Sequence, residues 1–249
     1  MSTRQFRPAL IPAIATLVVM AVCMRAGFWQ LDRAAQRTAL AEDARTRAEQ
    51  GPRSLAALLA LDEPANYPLQ VRGEIDNLRP ILLDNRMLDG RAGYHVLSPM
   101  RTHSGHHLLI NRGWIHRGPD RNLLPNIPAI EGDITVHGQS YVYSDRTWVL
   151  AEDDLSEPQW PLRIQRVEMG AIGAALGVEL APFELRVTPD FPLEQDAEQL
   201  PRVWQDAIMT PDRHRAYAVQ WFGLAMAVLV IFVAASFRSR EPDNDNLNA

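Results

Sequence analysis

Two stretches of the chain carry no charge, and they lie near its two ends. The first, PALIPAIATLVVMAVCM, runs from Pro8 to Met24 over 17 positions, and the second, AYAVQWFGLAMAVLVIFVAASF, from Ala216 to Phe237 over 22. As a helix the second is about 33 Å long, enough to cross a hydrocarbon core of roughly 30 Å. The first reaches only about 25 Å by itself. It spans the core if it continues through Ala26, Gly27, Phe28 and Trp29, with the Arg25 side chain snorkelling to the interface. A cleaved signal peptide is the competing reading of this run, since Arg4 and Arg7 precede it. No clear A-x-A site follows and the helical pattern carries on, so a retained anchor is expected. Val22 before Cys23 argues against lipoprotein processing, and Cys23 reads as a small apolar residue within the span.

Between the runs the pattern changes. WQLDRAAQRTALAEDARTRAEQ, residues 29–50, is rich in strong helix formers and extends the first helix as a polar stalk. Gly51-Pro52 stops it, and Ser54 caps a short helix, LAALLAL. Alternating apolar and polar residues then predict strands at Tyr67–Glu74, Pro80–Arg86, Gly93–Met100, His107–Ile115 and Ile134–Tyr143. Thr102-His103-Ser104-Gly105 reads as a hairpin turn. A helix is predicted over Gln165–Leu176 with Gly177 as its stop, followed by strands at Phe183–Val187 and Val203–Met209. The expected fold is membrane α+β: two transmembrane helices, N- and C-terminal, flank a mainly antiparallel β domain with one or two short helices. A partial barrel is one way for that sheet to close. The predicted organisation is a tail (1–8), a span (9–29), the stalk (30–50), a central α+β domain (51–210), a second span (211–237) and a second tail (238–249).

Charge and cysteine content narrow the function. A net charge of −5 argues against a nucleic-acid partner. All 25 basic residues are Arg, which reads as a coding bias of the source. One cysteine excludes an intramolecular disulfide and any cysteine-based metal cluster. Both termini should lie on one side of the membrane, but Arg residues flank the spans on both sides, so charge does not decide which.

The strongest chemical candidate opens the second span. Thr210-Pro211-Asp212 is a helix start, with an N-cap, proline at the first helical position and an acid in the first turn. His214 falls in that turn, with Tyr217 and Trp221 at i+3 and i+7 and with Arg213 and Arg215 beside it. The helix N-terminus disfavours a cation, so the imidazole should be neutral and able to ligate. Such a group can bind haem iron, with the aromatics on the macrocycle and an Arg on the propionates. Equally, His, Tyr, Trp and Arg are ordinary interfacial anchors. A second cluster, His103, His106 and His107 with His95 and His116 nearby, offers imidazoles for copper or zinc but fits no established metal spacing. No G-x-S-x-G, H-E-x-x-H or phosphate-cradling glycine loop is present, and the Asp153-Asp154 pair has no evident partner, so nothing here points to an enzyme.

Four segments together resemble the surfeit-one family, the Surf-one or Shy-one assembly factors of cytochrome c oxidase. They are Gly27-Phe28-Trp29-Gln30 with Arg33 and Arg37, Gly93-Tyr94-His95-Val96 with Ser98-Pro99, Leu109-Ile110-Asn111-Arg112-Gly113-Trp114-Ile115, and His214-x-x-Tyr217-x-x-x-Trp221-Phe222-Gly223-Leu224. They occur in the family's order across nearly the whole chain. Arg37 where Lys is common, Ser98 for Thr, and a Pro201–Pro211 stretch without a glycine-rich run depart from the pattern. The resemblance implies a non-catalytic protein of the bacterial inner membrane, with its central domain in the periplasm. It implies that His214 ligates haem a, and that cytochrome c oxidase subunit I is the partner, with haem a synthase a further one. It also implies structural or partner roles for Trp29, Gln30, Arg33, Asn111, Arg112 and Gly113. Arg112 can brace the domain against the stalk or headgroups, and Gly113 can mark a bulge or a close backbone approach. The alternative is a scaffold that stabilises an oxidase assembly intermediate through protein contacts without holding haem. A two-span sensor is disfavoured by the short tails.

Overall fold

A computed structural model describes residues 4–6, 8–121, 123–143, 155–194, 199–204 and 210–239. In chain order the elements are β1 (Arg4–Phe6), α1 (Leu10–Ala48), α2 (Leu55–Leu59), β2 (Pro68–Ile75), β3 (Ile81–Leu88), β4 (Arg91–Thr102) and β5 (His107–His116). There follow β6 (Asp133–Tyr141), β7 (Leu162–Ile164), α3 (Met169–Leu176), β8 (Leu180–Val187), α4 (Pro211–Ser236) and β9 (Phe237–Ser239). They fall into two compact units, one of Met1–Glu42 with Ala207–Ala249 and the other of Asp43–Asp206.

The first unit is built on α1 and α4, each long and apolar enough to cross a membrane. Most of their apolar side chains are exposed (Leu17 66%, Val219 70%, Ile231 66%), as expected of surfaces that meet lipid rather than a protein core. The apolar run and its polar continuation form one unbroken helix, since nothing between Leu10 and Ala48 breaks the ladder apart from Pro12, which sits in the first turn where its missing N–H costs nothing. At the ends of this unit β1 and β9 pair antiparallel, and Phe6 meets Phe237 with ring centroids 5.4 Å apart.

The second unit is a mixed, mostly antiparallel sheet of seven strands in the order β2-β6-β8-β5-β4-β3-β7. An additional β2–β4 pairing brings β2, β6, β8, β5 and β4 into a ring. The long strand β4 makes this possible: one edge pairs with β3 through Leu97 and then with β2 from Met100 to Thr102. At that corner a Cβ on Gly73 would sit 2.1 Å from the carbonyl oxygen of Arg101, so only glycine allows the two backbones to approach. Alternation puts Leu69, Val71, Ile134, Val136, Phe183, Leu185, Leu108 and Ile110 inside the ring, and Leu55 and Leu58 of α2 pack on the same cluster. Each such side chain contributes about 1.5–3 kcal/mol by burial. The opposite faces of β3, β4 and β5 form a second core with β7 and α3, around Leu83, Leu97, Leu109, Ile164 and Ile172. Strand β5, buried on both sides, therefore stands at the centre of the unit.

The predicted strands between Tyr67 and Tyr143 appear within a residue or two of their expected limits, and Thr102–His107 makes the hairpin turn. Ser54 caps α2 by accepting from the backbone N–H of Ala57 at 3.2 Å. Gly177 ends α3 in the left-handed conformation. Three differences stand out. The helix expected from Gln165 begins at Met169, because Leu162–Ile164 is drawn into a parallel pairing with β3. Val203 and Trp204 lie outside any strand, and 205–209, the rest of that predicted strand, are outside the described residues. Asp153-Asp154 also falls outside them.

Candidate functional site

The first turn of α4 begins as its sequence dictates, with Thr210 extended and Pro211 at the first helical position. The Thr210 side chain makes no capping bond, so the turn is closed by backbone bonds from Arg213 and His214 to the Thr210 carbonyl. From this turn His214 points onto α1 and is 9% exposed. Its Nδ1 lies 2.7 Å from Oε1 of Gln30. A carboxamide oxygen only accepts, so a contact of this kind fits a ring that donates from Nδ1, and in a neutral imidazole Nε2 would then carry the lone pair. Among the described residues no hydrogen bond engages Nε2.

Small side chains allow this approach. Cys23, Gly27, Gln30 and Ala34 follow one another along α1 at i, i+4, i+7 and i+11, and His214, Ala218, Trp221 and Ala225 repeat that spacing on α4. Apart from the half-buried Gln30 and Trp221, all of these positions are buried. Spacings of three and four make a continuous seam, and small residues on it let helices pack closely in lipid. Phe222 fills the space over Gly27, and its ring also meets Phe28 edge-on at 5.4 Å.

The other residues predicted for this site are less concentrated. Tyr217 is 43% exposed and lies off the seam, whereas Trp221 is on it. Arg213 is exposed. Arg215 is engaged by Asp212 at 2.9 Å and reaches Thr38 Oγ1 at 3.4 Å. On α1, Arg33 lies over the Trp29 ring, 5.6 Å from its centroid, and donates to Gln36 at 3.0 Å. Gln30 alone of that group meets His214, a pairing across 184 positions that no local pattern announces.

Asn111, Arg112 and Gly113 belong to a different setting, inside the β unit. Arg112 is 1% exposed, and its Nε donates to Glu194 at 3.2 Å. Arg202 donates to the same carboxylate at 2.6 Å, to the Arg112 carbonyl at 2.8 Å, and to the Phe191 carbonyl. Burial holds both guanidinium groups below their ordinary range, against the pull of Glu194. The Arg112 side chain is thus enclosed within its own unit. Gly113 has φ +128°, and a Cβ there would sit 2.7 Å from the Pro201 carbonyl oxygen, so this position needs glycine. The Trp114 N–H donates to that carbonyl at 2.8 Å. Asn111 donates to Glu184 at 3.0 Å, and Tyr143 and Arg186 share that carboxylate. Burial beside Glu184 raises the Tyr143 phenol well above its usual value. None of these carboxylates was marked by the sequence. The available signal was indirect: an arginine at a fully buried strand position demands an acid.

Three of the histidines set out as possible metal ligands have other partners. His103 pairs with Asp133 at 2.8 Å, His116 Nδ1 accepts from the Gly118 N–H, and His95 packs edge-on against Trp204 at 5.6 Å. Among the described residues no group of three His, Cys, Asp or Glu side chains is placed to hold a metal ion. Burial, with Arg86 and Arg186 nearby, pushes His95 down to about 3.

Comparison with known proteins places the seam and the β unit in one alignment. The model of the SURF1 family matches residues 17–226, a stretch that takes in both Gln30 and His214. A SURF1-like protein of Rickettsia felis is 21% identical over 223 residues, covering 88% of this chain and 94% of that one. A SURF1-like protein of Dictyostelium discoideum is 28% identical over 106 residues, 39% of each chain, so this match spans about two fifths of the relative's length.

Proposed function

The chain belongs to the SURF1 family, and from that premise we propose that it is a non-catalytic assembly factor for haem-copper cytochrome c oxidase. In this reading it holds haem a as cargo at the membrane surface and assists its insertion into subunit I, with haem a synthase as a further partner. The central domain lies on the periplasmic side of a bacterial inner membrane. The observation that carries the reading is the His214 imidazole, fixed through one nitrogen by Gln30 with the other left for a ligand.

The residues fit such a cargo by the chemistry of their donors. Haem iron would take an imidazole nitrogen as a ligand. His214 provides that nitrogen. Tyr217 and Trp221, one and two turns further along α4, present aromatic surface for the macrocycle. Arg213 is exposed and suits a propionate, whereas Arg215 would have to share itself with Asp212.

The test is co-purification of haem with the full-length protein from cells that make haem a. His214→Ala should lose most of the bound haem at unchanged protein level. Undiminished haem would remove His214 as the ligand. Wild-type protein that carries no haem yet is required for oxidase assembly would leave the scaffold reading in its place.

A further inference from the structure

We propose that Gln30 is the positioning residue of this site: it holds His214 as the Nδ1–H tautomer and so keeps the Nε2 lone pair free for the haem cargo. The inference rests on the reading of His214 as the axial ligand.

Free neutral imidazole of histidine favours the proton on Nε2, the nitrogen that would have to ligate. Something must reverse that preference, and an acceptor aimed at Nδ1 does so. Gln30 Oε1 is that acceptor, at 2.7 Å. The neighbouring polar groups are occupied elsewhere, Arg33 with Gln36 and Trp29, and Arg215 with Asp212 and Thr38. Gln30 lies on the seam between the buried Gly27 and Ala34. A neutral amide suits the place: it accepts the hydrogen bond without the desolvation cost of a carboxylate at a membrane surface. Partners of this kind orient metal-binding histidines and make them more basic, and losing one weakens binding about 10–100-fold.

The experiment uses the full chain in lipid nanodiscs with nitrogen-15 histidine. Without haem, at a pH where the ring is neutral, a long-range proton–nitrogen spectrum reads the tautomer of His214, identified by the signal missing in His214→Ala. Wild type should show Nδ1–H, and Gln30→Leu should revert to Nε2–H. In haem titrations Gln30→Leu should bind about tenfold more weakly or worse. Gln30→Glu, which keeps an acceptor at the same reach, should restore Nδ1–H and the affinity. It should also lower the reduction potential of the bound haem, which a purely structural contact would not do. An Nε2–H ring in wild type would overturn the inference, because the amide would then present its NH2 group. Equal haem affinity in wild type and Gln30→Leu would overturn it while leaving His214 as ligand. A wild-type protein that takes up no haem would overturn the reading of His214 and this inference with it.

Discussion

The two units treat buried polarity in opposite ways. The β unit encloses charges and answers them with charges: Glu194 lies between Arg112 and Arg202, and Glu184 accepts from Asn111, Tyr143 and Arg186. The helix pair encloses one imidazole and answers half of it with a neutral amide. In the first case the hydrogen-bonding capacity of each carboxylate is directed inward, and the result is a knot tying the segment around Pro201 to the central strand β5. In the second, one ring nitrogen is left over. A polar group whose capacity is used up holds a fold together, and one with capacity to spare is available to a ligand.

The largest effect should come from untying the knot. Among the described residues Glu194 is the one carboxylate facing two guanidinium groups that are each 1% exposed, and Arg112 Nη2 has no partner. Glu194→Ala would leave both cations buried without the carboxylate they share, at a cost of about 3–5 kcal/mol. Urea unfolding of the full-length protein in detergent, followed by tryptophan fluorescence, measures it. A loss below about 1 kcal/mol would mean that the triad is not what fixes this segment, and the contrast between the units would fail.

A medium effect should appear with pH, again in the β unit. His95 is held near 3 by burial and by Arg86 and Arg186, against about 6.5 in the unfolded chain. The unfolded state therefore takes up the proton first, so this stability is complete above pH 6.5 and is lost as pH falls from there towards 3. The slope is about 1.4 kcal/mol per pH unit, which amounts to roughly 2 kcal/mol by pH 5. His95→Gln should flatten that part of the stability profile. An unchanged slope in the variant would assign it to the carboxylates instead.

Much of this was legible in the sequence, and the parts that were not have a common cause. Period-two alternation located β2, β4, β5 and β6, which have one face in the ring core, and β3, whose Ile81 and Leu83 face the second core, and uncharged runs located α1 and α4. Leu162–Ile164 was missed because three residues carry no period, and its parallel pairing with β3 is non-local. Closure was expected only in outline, as a partial barrel, and the strands that close it were not, since β2 meets β4 through only Gly73–Ile75. The same holds for the sites. His214 stood out through its place at a helix start, and Asn111-Arg112-Gly113 through its resemblance. Glu184 and Glu194 lie 73 and 82 positions from the residues they hold, where spacing says nothing, whereas Gln30, 184 positions from His214, was named by the resemblance and not by its spacing.

The smallest effect belongs to the helix pair and tests whether its seam depends on packing as proposed. A Cβ on Gly27 would come within 2.4 Å of the Phe222 ring. The obstacle is the edge of a half-buried side chain and not backbone, so the ring can swing aside, but it must then give up its edge-on contact with Phe28. Gly27→Ala should therefore weaken the pair by only about 1 kcal/mol, the low end for overpacking. If steric conflict is the cause, Phe222→Leu should absorb it. The double variant would then be more stable than the sum of the two single changes predicts, by a coupling of about 0.5–1 kcal/mol. Thermal unfolding of the four proteins in one detergent gives the cycle. Strict additivity would show that Gly27 and Phe222 do not press on one another, and the close approach that brings Gln30 to His214 would need another explanation.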